Sequence, residues 1–125
     1  MKTRWLDRRI GAQGPYLTLC LSEDEFHAAV KHLKCQPTEW VTKSAAVHTY
    51  ASPRGITCIV CLRPGPDRSP IEIAGLLVHE AVHVWQEWCD DIGETHPGRE
   101  QEAYGVQAIA QELMAEYARR VENGL

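Results

Sequence analysis

The sequence contains no long apolar run. No window of its 125 residues approaches the roughly 18 consecutive apolar residues that indicate a membrane-spanning helix. The charged first nine residues are not followed by an apolar stretch, so no signal peptide is evident. We therefore expect a cytoplasmic protein with no membrane partner.

Basic residues are also fewer than acidic ones. The chain has 13 Lys and Arg against 17 Asp and Glu, which gives a net charge of −4 and argues against nucleic acid as a partner. The five cysteines are an odd number without the pattern of a small disulfide scaffold, which favours reduced thiols. Cys58 and Cys61 fall in an apolar run typical of a strand, where residues three apart point to opposite faces, so we expect core thiols rather than a metal pair.

The remaining pattern predicts one α+β domain spanning residues 1–125, with a hydrophobic content of 44% that is sufficient for a core. We expect a short antiparallel sheet packed on two long helices, with one shorter helix near the N-terminus. Capping boxes at Ser22–Glu25 and Ser69–Glu72 mark two helix starts. The predicted strands are Tyr16–Leu21, Ala45–Ala51 and Ile56–Leu62, the last two joined by a turn at Ser52–Gly55, and the predicted helices are Glu23–Leu33, Ser69 to about Asp90, and Arg99–Asn123.

A His-Glu-x-x-His motif lies in the second predicted helix, at His79-Glu80-Ala81-Val82-His83. Residues four apart share a helix face, so His79 and His83 can share one metal ion. Glu80 lies one step round the helix and can reach a water on that metal. This pattern is typical of zinc metalloproteases, with two ligands and a general base. The alternative is a solvated helix face that carries two histidines.

A catalytic zinc usually takes a third protein ligand. The last helix offers Glu102, because Val106, Ile109, Leu113 and Tyr117 all fall within about 60° of it on a 3.6-residue repeat. Glu100 lies about 160° away and should face solvent. A carboxylate at the head of an apolar stripe is costly unless it is paired or metal-bound, which favours Glu102. The alternative is an ordinary first-turn glutamate, favoured by the helix dipole.

The spacing of these residues resembles that of the gluzincins. His79-Glu80-x-x-His83, eighteen intervening residues and then Glu102 are similar to the pattern of thermolysin-like and aminopeptidase-N-like zinc metallopeptidases. The segment 79–113 is also similar to small metallopeptidase-like proteins encoded by phages and prophages. The resemblance covers the C-terminal half and implies a minimal zincin-like domain with one Zn²⁺ per chain, held by His79, His83 and Glu102, with Glu80 as the base. It implies a peptide or protein substrate, held as an added strand along a sheet edge, for which we expect the Ala45–Ala51 strand.

Other assignments stay open at this stage. Tyr104, His96 and His48 are candidate transition-state donors, and each has a structural alternative. Trp85 and Trp88 are expected in the core. The alternative to an enzyme is a non-enzymatic, phage-derived interaction protein with a structural or degenerate metal site, which His96 or Asp91 could close as a fourth ligand.

Overall fold

The described part of the chain forms three helices and three strands. A computed structural model describes residues 2–6, 15–36, 38–41, 43–53 and 55–124. In chain order the elements are β1 (Tyr16–Cys20), α1 (Glu23–His32), β2 (Ala45–Ser52), β3 (Gly55–Leu62), α2 (Pro70–Ile92) and α3 (Arg99–Glu122). The α+β class is confirmed. Arg54, in the predicted turn between β2 and β3, lies outside the described residues.

The sheet has the order β1-β3-β2 and is mixed rather than antiparallel. β2 and β3 form the expected antiparallel hairpin, with Val47 opposite Val60. β1 pairs in parallel with β3, with Leu17 opposite Cys58, so the prediction of a wholly antiparallel sheet is wrong. The physical reason is that α1 and the loop after it carry the chain to the far edge of the sheet at β2, and the β2–β3 hairpin then brings β3 back between them, parallel to β1.

The apolar strand β3 lies at the centre of the sheet and is buried on both faces, as its sequence predicts. Cys58 packs on the face that carries α2 and α3, whereas Cys61 packs on the face that carries α1. Burial raises the pKa of the Cys58 thiol to about 12 and also raises that of Cys61, so both thiols stay protonated. The prediction of separated core cysteines is confirmed.

The two long helices form a hairpin over one face of the sheet. α2 packs over β2 and β3, while α3 packs against α2 and over β1. Trp85 and Trp88 are buried in this layer, as predicted. Within the described residues, no helix combines the length and apolar character that a membrane crossing requires.

Candidate functional site

The start of α2 is fixed by the capping box predicted from the sequence. The Ser69 hydroxyl accepts a hydrogen bond from the Glu72 backbone N–H at 3.1 Å, and the Glu72 carboxylate accepts one from the Ser69 backbone N–H at 3.3 Å. Pro70 occupies the first turn, where its missing N–H costs nothing. Apolar residues that face the sheet and α3 hold the helix in place, and they include Ile73, Leu77, Ala81, Val84 and Trp88.

His79 and His83 lie side by side on the outer face of α2. Their ring centroids are 4.9 Å apart and their planes are inclined by 74°. Both residues are accessible to solvent, and the His79 side chain keeps 66% of its accessible surface. The structure therefore presents two imidazoles together on a face that a cation can reach from solvent.

The His83 ring is oriented by a neighbour one turn further along the helix. His83 Nδ1 lies 2.9 Å from Gln86 Oε1. An amide oxygen at that distance favours the tautomer in which Nδ1 carries the proton, which leaves Nε2 as the free acceptor for a metal. The sequence analysis did not predict a role for Gln86. Its position three residues after His83 could have indicated one, because residues three apart are neighbours on a helix surface.

Glu80 points away from solvent, and its side chain is only 5% exposed. Oε1 lies 3.9 Å from His79 Nε2, and Oε2 has no hydrogen-bond partner within the described residues. Burial raises the pKa of this carboxyl, while the neighbouring His79 and His83 act in the opposite direction. A buried carboxylate with an unsatisfied oxygen is costly. Glu80 is therefore the unsatisfied polar group of the motif.

Glu102 is not brought beside the two histidines. Its carboxylate accepts a hydrogen bond from the Trp85 indole N–H at 3.1 Å, and the residue is otherwise exposed. Trp85 lies two residues beyond His83, or about 200° further round α2. Among the described residues, no group of three or more His, Cys, Asp or Glu side chains is arranged to hold a metal ion.

The position of Glu102 follows from the close approach of α3 to α2. A Cβ at Gly105 would lie 2.2 Å from the Trp85 ring, so only glycine fits at this crossing. Ile109 and Leu113 continue the buried stripe predicted for α3, and Glu100 is exposed as predicted. Glu102 therefore occupies the exposed start of that stripe, next to the indole.

The candidate transition-state donors lie on three different parts of the fold. Tyr104 is 67% exposed on α3. His96 lies in the loop before α3, with Nδ1 3.0 Å from Thr95 Oγ1. His48 packs on Phe26 of α1, with ring centroids 4.9 Å apart. The sheet therefore separates His48 from α2.

No family model, curated protein or solved structure matches this chain. Its function must therefore be inferred from the chain's own residues and their geometry.

Proposed function

We propose that the protein is a zinc-dependent metallopeptidase. The observation that carries the proposal is the pairing of His79 and His83 on one exposed helix face, with the buried carboxyl of Glu80 beside them. Two imidazoles four residues apart, together with a neighbouring unsatisfied carboxylate, form the donor and base set of this enzyme class.

The donor set fits zinc in part. Imidazole nitrogens suit zinc, and the contact of Gln86 with His83 Nδ1 supports ligation through Nε2. Glu102 is the proposed third ligand. To bind the metal, its carboxylate must give up the hydrogen bond that it accepts from the Trp85 indole N–H. The chemistry that bound zinc supplies is Lewis acidity, which makes a coordinated water acidic and polarises a carbonyl.

Glu80 has the role of proton carrier in this proposal. Its Oε1 lies 3.9 Å from His79 Nε2, beside the proposed ligands, where the carboxylate can accept a proton from the attacking water and return it to the departing amine. Burial favours the protonated state, which suits a group that must hold the proton between the two events. Oε1, which lies 3.9 Å from His79 Nε2, is the oxygen proposed to make this exchange.

The outer edge of β2 is the proposed binding edge for an extended peptide. β2 pairs only with β3 among the described strands, and α2 packs over both of them. An unpaired strand edge offers backbone donors and acceptors to an added strand. The predicted range Ala45–Ala51 lies wholly within β2.

A non-enzymatic interaction protein is the second candidate, and one observation favours it. Glu102 is engaged by Trp85, and the described residues do not form a three-ligand group. In that case His79 and His83 would form a structural or degenerate site. Zinc binding without hydrolysis of any peptide would support this alternative.

Metal content, measured by elemental mass spectrometry after zinc loading, tests the proposal directly. We expect about one zinc per chain, consistent with a catalytic site of this class, and at least about tenfold weaker binding in His83→Ala. His27→Ala is the matched control, because His27 is an exposed helical histidine that lies on α1 and should leave zinc content unchanged.

Glu102→Ala separates the two roles of that carboxylate. Weaker zinc binding in this variant would support Glu102 as the third ligand. Unchanged binding would limit Glu102 to its hydrogen bond with Trp85. A wild-type protein that fails to bind zinc at all would contradict the proposed function.

A further inference from the structure

A polar cavity lies at the β1 edge of the sheet, where β1 meets the first residues of the chain. Its volume is about 240 Å³. The lining comes from the N-terminal arm, β1, α1 and the end of α3, and includes Lys2, Arg4, Thr18, Glu25, Glu116, Arg119 and Arg120. No residue of α2 lines it, so this cavity is separate from the His79–His83 face.

The cavity carries an excess of positive charge in an otherwise acidic protein. Four cationic side chains and two carboxylates line it, which leaves two positive charges (4 − 2). Arg120 donates hydrogen bonds to both oxygens of Glu25, and Glu116 accepts hydrogen bonds from Arg4 and Arg119. Both carboxylates are therefore already paired with arginines, and the two positive charges in excess belong to side chains that line the cavity.

Glu116 holds two of the arginines in place. This carboxylate is only 4% exposed and accepts a hydrogen bond from Arg4 Nε at 3.0 Å. It also accepts hydrogen bonds from Arg119 Nε at 2.9 Å and from Arg119 Nη2 at 2.8 Å. A guanidinium fixed through one edge presents its remaining N–H groups in a defined direction, so these donors are preorganised.

Several of these donors are unused. Within the described part of the chain, the two terminal nitrogens of Arg4 and Nη1 of Arg119 have no hydrogen-bond partner. Among the same residues, the ammonium of Lys2 has none either. The Arg4 side chain is 62% exposed, so an ion can reach these groups from solvent.

We propose that this cavity binds a small dianionic oxyanion of the phosphate class, either free or as the phosphoryl group of a larger molecule. The two excess charges match a dianion, and planar guanidinium donors match the geometry of its oxygens. This site is independent of the proposed peptidase activity, since the two sites share no residue.

Calorimetric titration with inorganic phosphate at constant ionic strength tests the proposal, with acetate and methyl phosphate as comparison ligands. We expect phosphate to bind at least about tenfold more tightly than acetate, which carries one charge. Methyl phosphate distinguishes the two sources of the ligand: tighter binding than phosphate would indicate a phosphoryl group on a larger molecule, and weaker binding would indicate free phosphate.

Two variants locate the binding site and one serves as a control. Arg119→Gln should weaken phosphate binding about tenfold or more. Lys2→Met should weaken it several-fold without disturbing either ion pair, because Lys2 takes part in neither. Arg99→Gln makes the same charge change at the opposite, exposed end of α3 and should have no effect. Equal binding of acetate and phosphate, or equal losses in the Arg99 and Arg119 variants, would overturn the proposal.

Discussion

At the scale of single residues, the burial of Glu80 is the feature that best separates a functional motif from a chance pair of histidines. A solvated helix face would leave Glu80 exposed, yet its side chain is almost fully buried and one oxygen lacks a partner within the described residues. Such a group lowers the stability of the fold. Functional sites often retain groups that cost stability.

Glu80→Gln should therefore separate activity from stability. We expect the variant to lose peptide hydrolysis while it keeps its zinc, because the amide cannot accept the proton of water. In the metal-free protein we expect the free energy of unfolding to rise by roughly 1 kcal/mol, since a neutral amide is cheaper to bury than a carboxylate. Peptide turnover, zinc content and chemical denaturation provide the three measurements.

Glu87→Gln is the matched control for this substitution. Glu87 lies on the same helix but is exposed, so its replacement should leave both turnover and stability nearly unchanged. Hydrolysis that survives in the Glu80 variant would remove Glu80 from its proposed role as base.

The sequence could predict the positions of His79 and His83 but not the environment of Glu80. The i, i+4 spacing of the histidines fixes a shared face without reference to any other element. The burial of Glu80 depends on how α2 lies on the sheet, which helix periodicity alone does not encode. The hydrogen bond between Trp85 and Glu102 likewise joins residues 17 apart in sequence and depends on the crossing of two helices.

At the scale of elements, two helical glycines have opposite surroundings. Gly105 faces the Trp85 ring at the crossing of α2 and α3, where a Cβ would come within 2.2 Å. A Cβ added at Gly75, one turn before His79, would meet no heavy atom of the described residues within 4 Å beyond its own helix backbone and chain neighbours. Both glycines fall inside helices predicted from the sequence. Only the structure shows that Gly105 is required by close helix packing and that Gly75 has free space beside it.

Gly105→Ala and Gly75→Ala should shift stability in opposite directions. The first should destabilise the protein by roughly 1–3 kcal/mol, because α3 must move away from Trp85. The second should stabilise it by up to about 1 kcal/mol, because alanine has the higher helix propensity and meets no obstacle. Thermal or urea unfolding of both variants measures this difference. Destabilisation by Gly75→Ala would show that the space beside it is needed for packing.

Element boundaries were largely predictable because they depend on local chemistry. The Ser69–Glu72 capping box places the start of α2, and the Ser22 hydroxyl caps α1 by accepting from the Glu25 N–H, although the Glu25 carboxylate accepts from the Leu21 N–H rather than completing the predicted box. The apolar run places β3 at the centre of the sheet. The direction of β1 was not predictable, since an alternating pattern specifies which face is buried but not whether the neighbouring strand is parallel. That choice depends on the path of the chain through α1 and the following loop.

At the scale of the whole molecule, the two edges of the sheet have different chemistry. The β2 edge belongs to the strand over which α2 packs, and the β1 edge carries the ionic network of the polar cavity. That network joins the two layers on either side of the sheet, because Glu25 belongs to α1 whereas Arg120 belongs to α3. It also attaches the N-terminal arm, through Arg4 and Glu116.

This network should make the fold sensitive to acid. Burial alone would raise the pKa of Glu25, but the hydrogen bonds from Arg120 and the Leu21 backbone N–H outweigh it and the pKa is lowered. Burial of Glu116 is likewise outweighed by its hydrogen bonds with Arg119, with further help from the Arg4 charge, and its pKa is also lowered. A carboxyl whose pKa is lower in the folded state adds stability above its unfolded pKa, near 4.5.

We therefore expect the contribution of Glu25 and Glu116 to the free energy of unfolding to be steady above about pH 5 and to fall as the pH drops through roughly 4.5 and below, until both carboxyls are protonated in the folded state. Glu25→Gln should lower the free energy of unfolding by roughly 1–2 kcal/mol at neutral pH, because charge-assisted hydrogen bonds are lost. It should also reduce the acid limb, which is the fall in the free energy of unfolding below about pH 5. Glu100→Gln, on the exposed first turn of α3, should do neither. Urea unfolding curves recorded from about pH 3 to about pH 7 measure both effects. An acid limb that is equally steep in wild type and Glu25→Gln would show that the contact between α1 and α3 does not control acid stability.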